Sequence, residues 1–339
     1  MKIIIDDKIP YIRRAAESLF SSVVYLPGNK ISATDVKDAD AMIVRTRTLC
    51  DKSLLEGSSV RFIATATIGY DHLDTDYLSH AGISWTNCPG CNASSVAQYV
   101  ESCLILLKRQ HYLPSCPTMG IVGAGHVGLQ VALKAQAFNC NVLYNDPPRQ
   151  SQEPSSAFCS LRDIAEQCDV ISFHTPLTCK GPWPTFHLAD AAFFDSLRQK
   201  PIIINAARGG VVDEQELHRA YLERKVSAYI IDTWENEPHL SSLLLNDAFI
   251  GTPHIAGYSA DGKSNASQMA LAATCKFFGI QPSFNISPPP LPQGLIPSPD
   301  EEERKLQLYN PLIDSRALKA CPEKFESMRS NYPLRREHW

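Results

Sequence analysis

The sequence predicts an α/β protein in which two parallel-sheet units follow one another along the chain. Residues 1–86 alternate short β-branched runs with polar segments of helical character. From Thr118 onwards, five further apolar runs alternate with helix-length segments, and a glycine-rich turn follows the first of them. Strands that are buried on both faces read as continuous apolar runs, so the second series indicates a doubly wound parallel sheet.

The first unit has five predicted strands, which are, in order, KIIID, SSVVYL, AMIVRT, VRFIATAT and GISWTN. The segment 93–110 follows, with Val96, Val100, Leu104 and Leu107 at helical spacing. This periodicity predicts an amphipathic helix with a wide apolar face. Its place between the two series makes it the predicted connection between the units.

The second unit has predicted strands TMGIVGA, CNVLYND, CDVISFHTP, PIIINAA and SAYIIDTW, with helices over 127–138 and 213–224 among the intervening segments. Beyond it, seven of the 24 prolines fall within residues 282–299. Because proline neither continues a helix nor donates to a central sheet, this stretch predicts an extended linker.

Composition excludes several classes of protein. A net charge of −4 gives no reason to expect a nucleic-acid partner, and no apolar run approaches the ~20 residues that span a bilayer. The first apolar run ends at once in Asp6 and Asp7, which favours a strand over a secretory signal. Eleven cysteines are scattered along the chain and do not resemble a disulfide framework, so we expect reduced thiols and a cytoplasmic protein.

A glycine-rich turn carries the first candidate site. Gly123, Gly125 and Gly128 lie between a predicted strand and a predicted helix, and the next strand ends in Asp146. Glycines let the backbone approach a pyrophosphate, the helix N-terminus offers N–H groups to it, and the acid accepts from ribose hydroxyls. The pattern predicts a dinucleotide site that prefers NAD, because an acid disfavours the 2′-phosphate of NADP. The alternative is a glycine turn in an α/β domain that binds nothing.

Three later stretches, 205–210, 232–238 and 251–259, fall at or just after predicted strand ends and carry Arg208, Glu237 and His254. Taken singly, these residues are explained as a solvated loop cation, a turn residue and a half-buried histidine. Together they supply a base, a carboxylate to orient it and a cation for an anionic substrate, which hydride transfer from an alcohol requires.

Cys88 and Cys91 form a C-x-x-C pair directly before the helix predicted at 93–110. The pair is compatible with a redox centre, with half of a metal site or with a hinge. A zinc site needs a second pair of ligands, and no His, Cys, Asp or Glu cluster has suitable spacing, so we predict no metal. Pro89 and Gly90 favour a turn, and we interpret 87–95 as a hinge.

Four motifs together carry a family resemblance: the interior G-x-G-x-x-G, N-A-x-R-G-x-V-V-D at 205–213, D-x-x-x-x-E-P at 232–238 and T-P-H-I-A-G at 252–257. The sequence resembles the D-isomer-specific 2-hydroxyacid dehydrogenases. Further segments resemble a branch that oxidises a phosphorylated four-carbon 2-hydroxy acid in bacterial vitamin B6 synthesis; they are 65–72, 88–93, 146–149, 172–177, 251–258 and 325–339.

The resemblance implies a Rossmann NAD domain, a smaller flavodoxin-like substrate domain and a short C-terminal dimerisation region. It implies that His254 is the general acid/base, that Glu237 is its hydrogen-bonded partner and that Arg208 binds the substrate carboxylate and carbonyl. The implied or predicted cofactor-binding residues are Gly123, Gly125, His126, Val127, Gly128, Asp146, Thr175, Ala206, Ala207, Asp232 and Gly257.

The resemblance also implies a substrate site that contains Thr46, Thr67, Gly69 and Tyr258. Arg45 and Arg47 are candidate clamps for a substrate phosphate, because a guanidinium binds phosphate through two hydrogen bonds; surface arginines after a strand are an equal alternative. The expected division is 1–93 with 258–281 for substrate, 94–257 for NAD, and 282–339 for the linker and a homodimer contact. Two functional alternatives stay open: another D-2-hydroxy acid, such as phosphoglycerate or glycerate, and an NAD-sensing, corepressor-like protein without turnover.

Overall fold

The computed structural model describes residues 1–153, 157–281 and 283–339. The described chain divides into two compact units. Unit 1 comprises Met1–Asn92 and Ser259–Pro292, and unit 2 comprises Ala93–Tyr258 and Gln293–Trp339. Pro282, at which the predicted linker begins, lies outside the described residues.

The elements are numbered here along the chain. The strands are β1 Lys2–Asp6, β2 Ser22–Leu26, β3 Ala41–Val44, β4 Phe62–Thr65, β5 Ser84–Thr86, β6 Thr118–Val122, β7 Asn141–Asn145, β8 Val170–Phe173, β9 Ile202–Asn205, β10 Ala228–Ile231 and β11 Ile250–Gly251. The helices are α1 Arg13–Leu19, α2 Ala33–Val36, α3 Lys52–Leu55, α4 Thr75–His80, α5 Ala93–Arg109, α6 His126–Ala137, α7 Pro147–Gln152, α8 Leu161–Gln167, α9 Ala191–Ser196, α10 Glu214–Leu222, α11 Ser242–Asp247, α12 Ala260–Phe277, α13 Glu301–Leu308, α14 Pro311–Ala320 and α15 Phe325–Ser330. Within the described residues, none of these helices has the length and apolar character that a membrane span requires.

Unit 1 is a parallel sheet with the strand order β2-β1-β3-β4-β5. This is the flavodoxin-like order, in which the chain reverses direction across the sheet between β1 and β3. Helix α12 returns to this unit and packs on β4, where Phe277 stacks on Phe62 with ring centroids 4.7 Å apart. Each of the five strands predicted for residues 1–86 is present.

Unit 2 is a parallel sheet with the order β11-β10-β9-β8-β6-β7. The chain runs outwards from β6 to β7 and then returns to β8 on the other side of β6, so the carboxyl ends of β6 and β8 flank the switch point at which such sheets bind ligands. The predicted class, a doubly wound parallel sheet with a smaller α/β unit, is confirmed. The two-residue strand β11 was missed because so short a run has no periodicity of its own.

The C-terminal segment belongs largely to unit 2. Residues 283–298 form neither helix nor strand, as the prolines predict. After them, Leu306, Leu318 and Phe325 are buried in the cores of unit 2, which explains why residues 293–339 group with that unit rather than as a region of their own. A dimerisation role for this segment stays a prediction.

Candidate active site

The glycine turn lies at the switch point of unit 2. Gly123 has φ +96°, and a Cβ there would lie 2.8 Å from the carbonyl carbon of His174, at the end of β8. A Cβ at Gly128 would lie 2.0 Å from the carbonyl oxygen of Gly123. Gly125 caps α6 and has open space where a Cβ would stand. Two glycines are therefore needed for packing, and the third leaves room for a ligand at the start of a helix.

Asp146 closes one side of this turn. Its Oδ2 accepts a hydrogen bond from the Ala124 N–H at 2.8 Å, and its Oδ1 accepts from the Arg149 N–H at 3.0 Å. A cavity of about 410 Å³ adjoins Ala124 and is lined by Leu129, Tyr144, Arg149, Glu153, Ala157 and Phe158. A partly aromatic cavity beside an acid and a helix N-terminus suits the adenosine end of a dinucleotide.

Buried polar atoms without a partner mark the same edge of the sheet. His174 Nδ1, Thr175 Oγ1 and Thr233 Oγ1 have no hydrogen-bond partner among the described residues. Burial lowers the pKa of His174 to about 3, so this ring is neutral. An unpaired buried polar group costs about 1–3 kcal/mol, so three of them after β8 and β10 favour a bound group that supplies the missing partners. The residues present thus fit a dinucleotide.

The other predicted cofactor-binding residues lie around this edge of unit 2. His126 opens α6 and is exposed, and Val127 after it is half-buried. Ala206 and Ala207 directly follow β9 and are half-buried and buried. Their contacts with a dinucleotide stay predictions, as does the contact of Gly257.

Glu237 and His254 form the centre of the candidate active site. His254 Nδ1 lies 2.9 Å from each carboxylate oxygen of Glu237, and the side chains are 25% and 19% exposed. Burial raises the pKa of Glu237, but the hydrogen bond and charge of His254, the Trp234 N–H and Arg329 outweigh it, so the net shift is downwards. An ionised Glu237 holds Nδ1 and leaves Nε2 as the ring nitrogen that can exchange a proton with a substrate.

Arg208 is exposed on the loop after β9. The Asn205 side chain supports this loop, since its amide donates to the Arg208 carbonyl at 3.1 Å and its oxygen accepts from the Ala207 N–H at 3.2 Å. A Cβ at Gly209 would lie 1.9 Å from the Trp234 carbonyl oxygen, so only glycine fits. The loop that carries Arg208 therefore packs directly against the loop that carries Glu237.

The Asp232 carboxylate binds the backbone N–H groups of the loop after His254. Its Oδ1 accepts from the Ile255 N–H at 2.8 Å, and its Oδ2 accepts from the Ala256 N–H at 2.9 Å. Thr252 adds a hydroxyl donor to Oδ1 at 2.6 Å. The predicted role of Asp232 near the cofactor is compatible with these bonds, because a carboxylate has about four acceptor positions.

Sequence reasoning missed Arg329 and Arg335, which contact the Glu237–His254 region from the C-terminal segment. Arg329 Nη1 lies 3.4 Å from Glu237 Oε2, and Arg335 donates to carbonyls of the loop after His254. Residues 325–339 did carry the family resemblance, but nothing local in that stretch says which main-chain atoms an arginine 80 positions away will reach.

A second cluster that sequence spacing did not reveal adjoins Glu237. His187 Nδ1 lies 3.1 Å from Asp213 Oδ2, and its Nε2 lies 2.9 Å from Glu235 Oε1. Within the described part of the chain, these three residues have ligand atoms close enough together to hold a metal ion, within 4.8 Å of one another. Both ring nitrogens already face a carboxylate, however, so an ion would have to displace one of these contacts.

The predicted substrate residues of unit 1 follow β3 and β4, which are neighbouring strands. Arg45 donates to the Lys8 carbonyl at 2.9 Å, Thr46 is exposed, and exposed Arg47 lines a cavity of about 300 Å³. The Thr67 hydroxyl donates to the Gly69 carbonyl at 2.8 Å and shapes the turn after β4. Tyr258 lies in unit 2, where its side chain hydrogen bonds to Arg329.

The C-x-x-C stretch supports this turn through its backbone and Asn87. The Cys88 N–H donates to the Thr67 carbonyl at 2.9 Å, and the Asn87 amide donates to the Ile68 carbonyl at 2.7 Å. Cys88 and Cys91 are both buried thiols. Burial, with a smaller effect of Cys91, raises the pKa of Cys88 to about 12, which disfavours a reactive thiolate. The boundary between the units falls between Asn92 and Ala93, where the hinge is predicted.

Comparisons with known proteins agree with this geometry. Residues 107–256 match the family model described as D-isomer specific 2-hydroxyacid dehydrogenase, NAD binding domain. An erythronate-4-phosphate dehydrogenase of Bacteroides thetaiotaomicron is 52% identical, over 99% of this chain and 97% of the relative. A protein of the same name from Porphyromonas gingivalis is 42% identical, over 99% of this chain and 94% of the relative.

Among solved structures, an NAD⁺-bound 3-phosphoglycerate dehydrogenase of Entamoeba histolytica is similar, with 26% identity and a TM-score of 0.68. The match covers 85% of this chain and 98% of that one. These matches confirm the family resemblance that the motifs predict. They also confirm NAD as the cofactor, in accord with Asp146 beside the glycine turn.

Proposed function

Because the chain belongs to the D-isomer-specific 2-hydroxyacid dehydrogenase family, we propose that it oxidises 4-phospho-D-erythronate with NAD to 3-hydroxy-2-oxo-4-phosphobutanoate, a step of vitamin B6 synthesis. The identity of 52% to a relative named for this substrate, over nearly the whole of both chains, supports the choice. The single structural observation that carries the chemistry is the Glu237–His254 pair, with Nδ1 2.9 Å from both carboxylate oxygens.

The reaction removes a proton from the C2 hydroxyl and a hydride from C2. His254 takes the proton at Nε2, while ionised Glu237 accepts from Nδ1–H and stabilises the imidazolium that forms. Arg208 offsets the charge of the substrate carboxylate and polarises the forming 2-oxo group. NAD, when bound, accepts the hydride, so the products are the 2-oxo acid, NADH and the proton held on His254. The proton then passes to water and restores the neutral base.

The dinucleotide would bind along the carboxyl edge of the unit 2 sheet. Gly125 would face the pyrophosphate, Asp146 would accept from the adenosine ribose, and the unpaired Thr175 hydroxyl would gain a partner. Unit 1 would supply Thr46, Thr67, Gly69 and the two arginines of the loop after β3. A cytoplasmic homodimer, with no nucleic-acid or membrane partner, completes the proposal, and the resemblance of residues 325–339 to the dimerisation region of the family supports the dimer.

A substrate panel tests this function. With NAD, we expect kcat/KM for 4-phospho-D-erythronate to exceed that for unphosphorylated glycerate by about 10–100-fold, since a hydrogen bond to a charged group contributes about 1.5–3 kcal/mol. We expect it to exceed kcat/KM for 3-phosphoglycerate by a smaller factor, because that acid carries the same charged groups on a chain one carbon shorter. A preference for either of the other acids would contradict the proposed substrate, but the proposed type of reaction would stand. NAD binding without turnover of any of the acids would favour the sensor alternative.

Replacing the base separates catalysis from binding. His254→Ala should lower kcat about 100–10,000-fold, because general base catalysis contributes that much, while NADH affinity stays within about twofold. His218→Ala is the matched control, since His218 lies on α10 and pairs with Asp247 away from the carboxyl edge. An unchanged kcat in His254→Ala would contradict the assignment of the base.

A further inference from the structure

The loop that follows the candidate base, residues 255–258, is held by a buried arginine from the end of the chain. Arg335 is 7% exposed. It donates to the carbonyl oxygens of Ile255 at 3.0 Å, Ala256 at 2.6 Å and Tyr258 at 2.8 Å. It also donates to the Ser95 carbonyl at 3.2 Å and to Gln98 Oε1 at 2.9 Å. All five N–H donors of this guanidinium therefore have an acceptor, which no other side chain can reproduce.

The loop is thus fixed from two sides by opposite charges. The Asp232 carboxylate accepts from the N–H groups of Ile255 and Ala256, and the Arg335 guanidinium donates to their carbonyls. His254, immediately before the loop, has φ +57°, a left-handed conformation that non-glycine residues rarely adopt. A strained backbone persists only where surrounding contacts over-determine it, and this pair of charges supplies such contacts.

A second arginine of the same segment reaches the partner of the base. Arg329, on α15, lies 3.4 Å from Glu237 Oε2 and hydrogen bonds to Tyr258. The Glu237 oxygen that it approaches also lies 2.9 Å from His254 Nδ1. Other charged groups face this carboxylate too: His254 on one side, and Glu214, on α10, through its charge. Arg329 thus restrains Glu237 in place and reduces the negative charge that acts on the imidazole.

We propose that the C-terminal segment 325–337 positions the catalytic pair, with Arg335 holding the main chain after His254 and Arg329 orienting Glu237. The inference rests on the proposed function of that pair but adds residues outside the matched family model, which ends at residue 256. Both are positioning residues, since they act through His254 and Glu237. Their loss should affect turnover more than cofactor binding.

The first test uses Arg329, whose partial exposure makes a folded variant attainable. Arg329→Gln should lower kcat about 10–100-fold with NADH affinity within twofold, because misplacement of about 1 Å costs about 100-fold in rate. Arg329→Lys, which keeps the cation, should recover at least half of that loss on a logarithmic scale. Arg316→Gln, a loss of an exposed arginine on the neighbouring helix α14, is the control and should match the wild type.

A pH profile distinguishes positioning from general destabilisation. Without Arg329, the full charge of Glu237 acts on His254, so the acidic limb of kcat/KM should move to higher pH by about 1 unit. The imidazole resonance of His254, followed by NMR without any substrate, should show its midpoint moving the same way. Arg329→Lys should restore both midpoints, which a merely structural role would not require.

Arg335, which is buried, gives a second and independent test. Arg335→Lys leaves at most three of the five donors, so we expect kcat to fall about 10–100-fold and the melting temperature to drop. The Arg329 series decides the matter if this variant does not fold.

The outcomes separate the inference from the proposed function. If the wild type oxidises 4-phospho-D-erythronate, and Arg329→Gln changes neither kcat nor the pH midpoint of the His254 resonance, the inference is wrong and the proposed function stands. A wild-type protein that does not oxidise 4-phospho-D-erythronate, but whose His254 midpoint moves in Arg329→Gln, would overturn the function and support the inference.

Discussion

Both units contain a parallel sheet, but the loops at the carboxyl edges of the two sheets differ in how hydrogen bonds hold them. In unit 2, polar side chains that follow the strands bond to one another, as in the contacts of Glu237 with His254 and of Asp232 with the loop after it. In unit 1, Thr46 and Arg47 follow β3 and are exposed, and the turn after β4 is held mainly through its carbonyls.

The difference follows from what each edge is proposed to do. Proton transfer is favoured by a base that a hydrogen-bonded partner holds in one orientation. Attracting a phosphate depends on the positive charge of nearby side chains, since charge acts over a longer distance than a hydrogen bond does. Unit 2 therefore holds its side chains in a fixed geometry, whereas unit 1 acts through the charge of its arginines.

Among the tests of this contrast, the largest effect is expected from the two arginines that follow β3, exposed Arg47 and half-buried Arg45. Arg47→Gln and Arg45→Gln should each raise KM for 4-phospho-D-erythronate about 10–100-fold with little change in kcat, since a charge-assisted hydrogen bond contributes about 1.5–3 kcal/mol. Steady-state kinetics with unphosphorylated erythronate is the decisive comparison, because neither variant should change its KM by more than about twofold.

Arg14→Gln removes an exposed arginine of α1 in the same unit and serves as the control. If kcat fell in the Arg47 variant while KM held, the loop after β3 would be shaping the chemistry, and the contrast between the units would be wrong.

An intermediate effect is expected from a carboxyl group that unit 2 confines beside its active site. Burial, followed by the charges of Glu235, Glu237 and Asp213, raises the pKa of Glu214 to about 7, although the Glu235 N–H opposes the shift. A carboxyl that binds its proton more tightly in the folded state stabilises the fold below its unfolded pKa of 4.5 and loses that contribution as the pH rises through about 7. At about 1.4 kcal/mol per pKa unit, the loss is up to about 3 kcal/mol, or about 1–2 after allowance for partial exposure.

Glu214→Gln should therefore be more stable than the wild type at pH 8 by about 1–2 kcal/mol and no more stable at pH 4.5. Urea unfolding at the two pH values measures this difference. Glu56→Gln, at an exposed position of unit 1, should show no such dependence. If Glu214→Gln were less stable than the wild type at pH 8, the Glu214 carboxylate of the wild type would be ionised and stabilised by a partner, and its pKa would not be raised by burial.

The sequence predicted the parts of the molecule that local patterns encode. Ten of the eleven strands in the described chain follow apolar runs, and the glycine turn with Asp146 falls where strand, turn and helix meet. Arg335 was out of reach, because its acceptors are main-chain carbonyls, which every residue carries and which no sequence motif distinguishes. The His187 cluster was likewise hidden, since its members come from three separate loops that only the folded sheet brings together.

The smallest effect is expected from a substitution in the C-x-x-C pair. Cys88 is buried in unit 1 and its thiol donates to the Ala266 carbonyl at 3.3 Å, while its backbone N–H holds the Thr67 carbonyl. Cys88→Ala keeps the backbone contact and removes only the sulfur, so kcat and KM should stay within about twofold, with a loss of about 1 kcal/mol in unfolding free energy from the small cavity. Exposed Cys116→Ala is the control, and activity should be equal with and without a thiol reductant in both. Loss of activity in Cys88→Ala alone would restore the redox interpretation, whereas the expected result assigns this stretch to supporting the turn at 67–69.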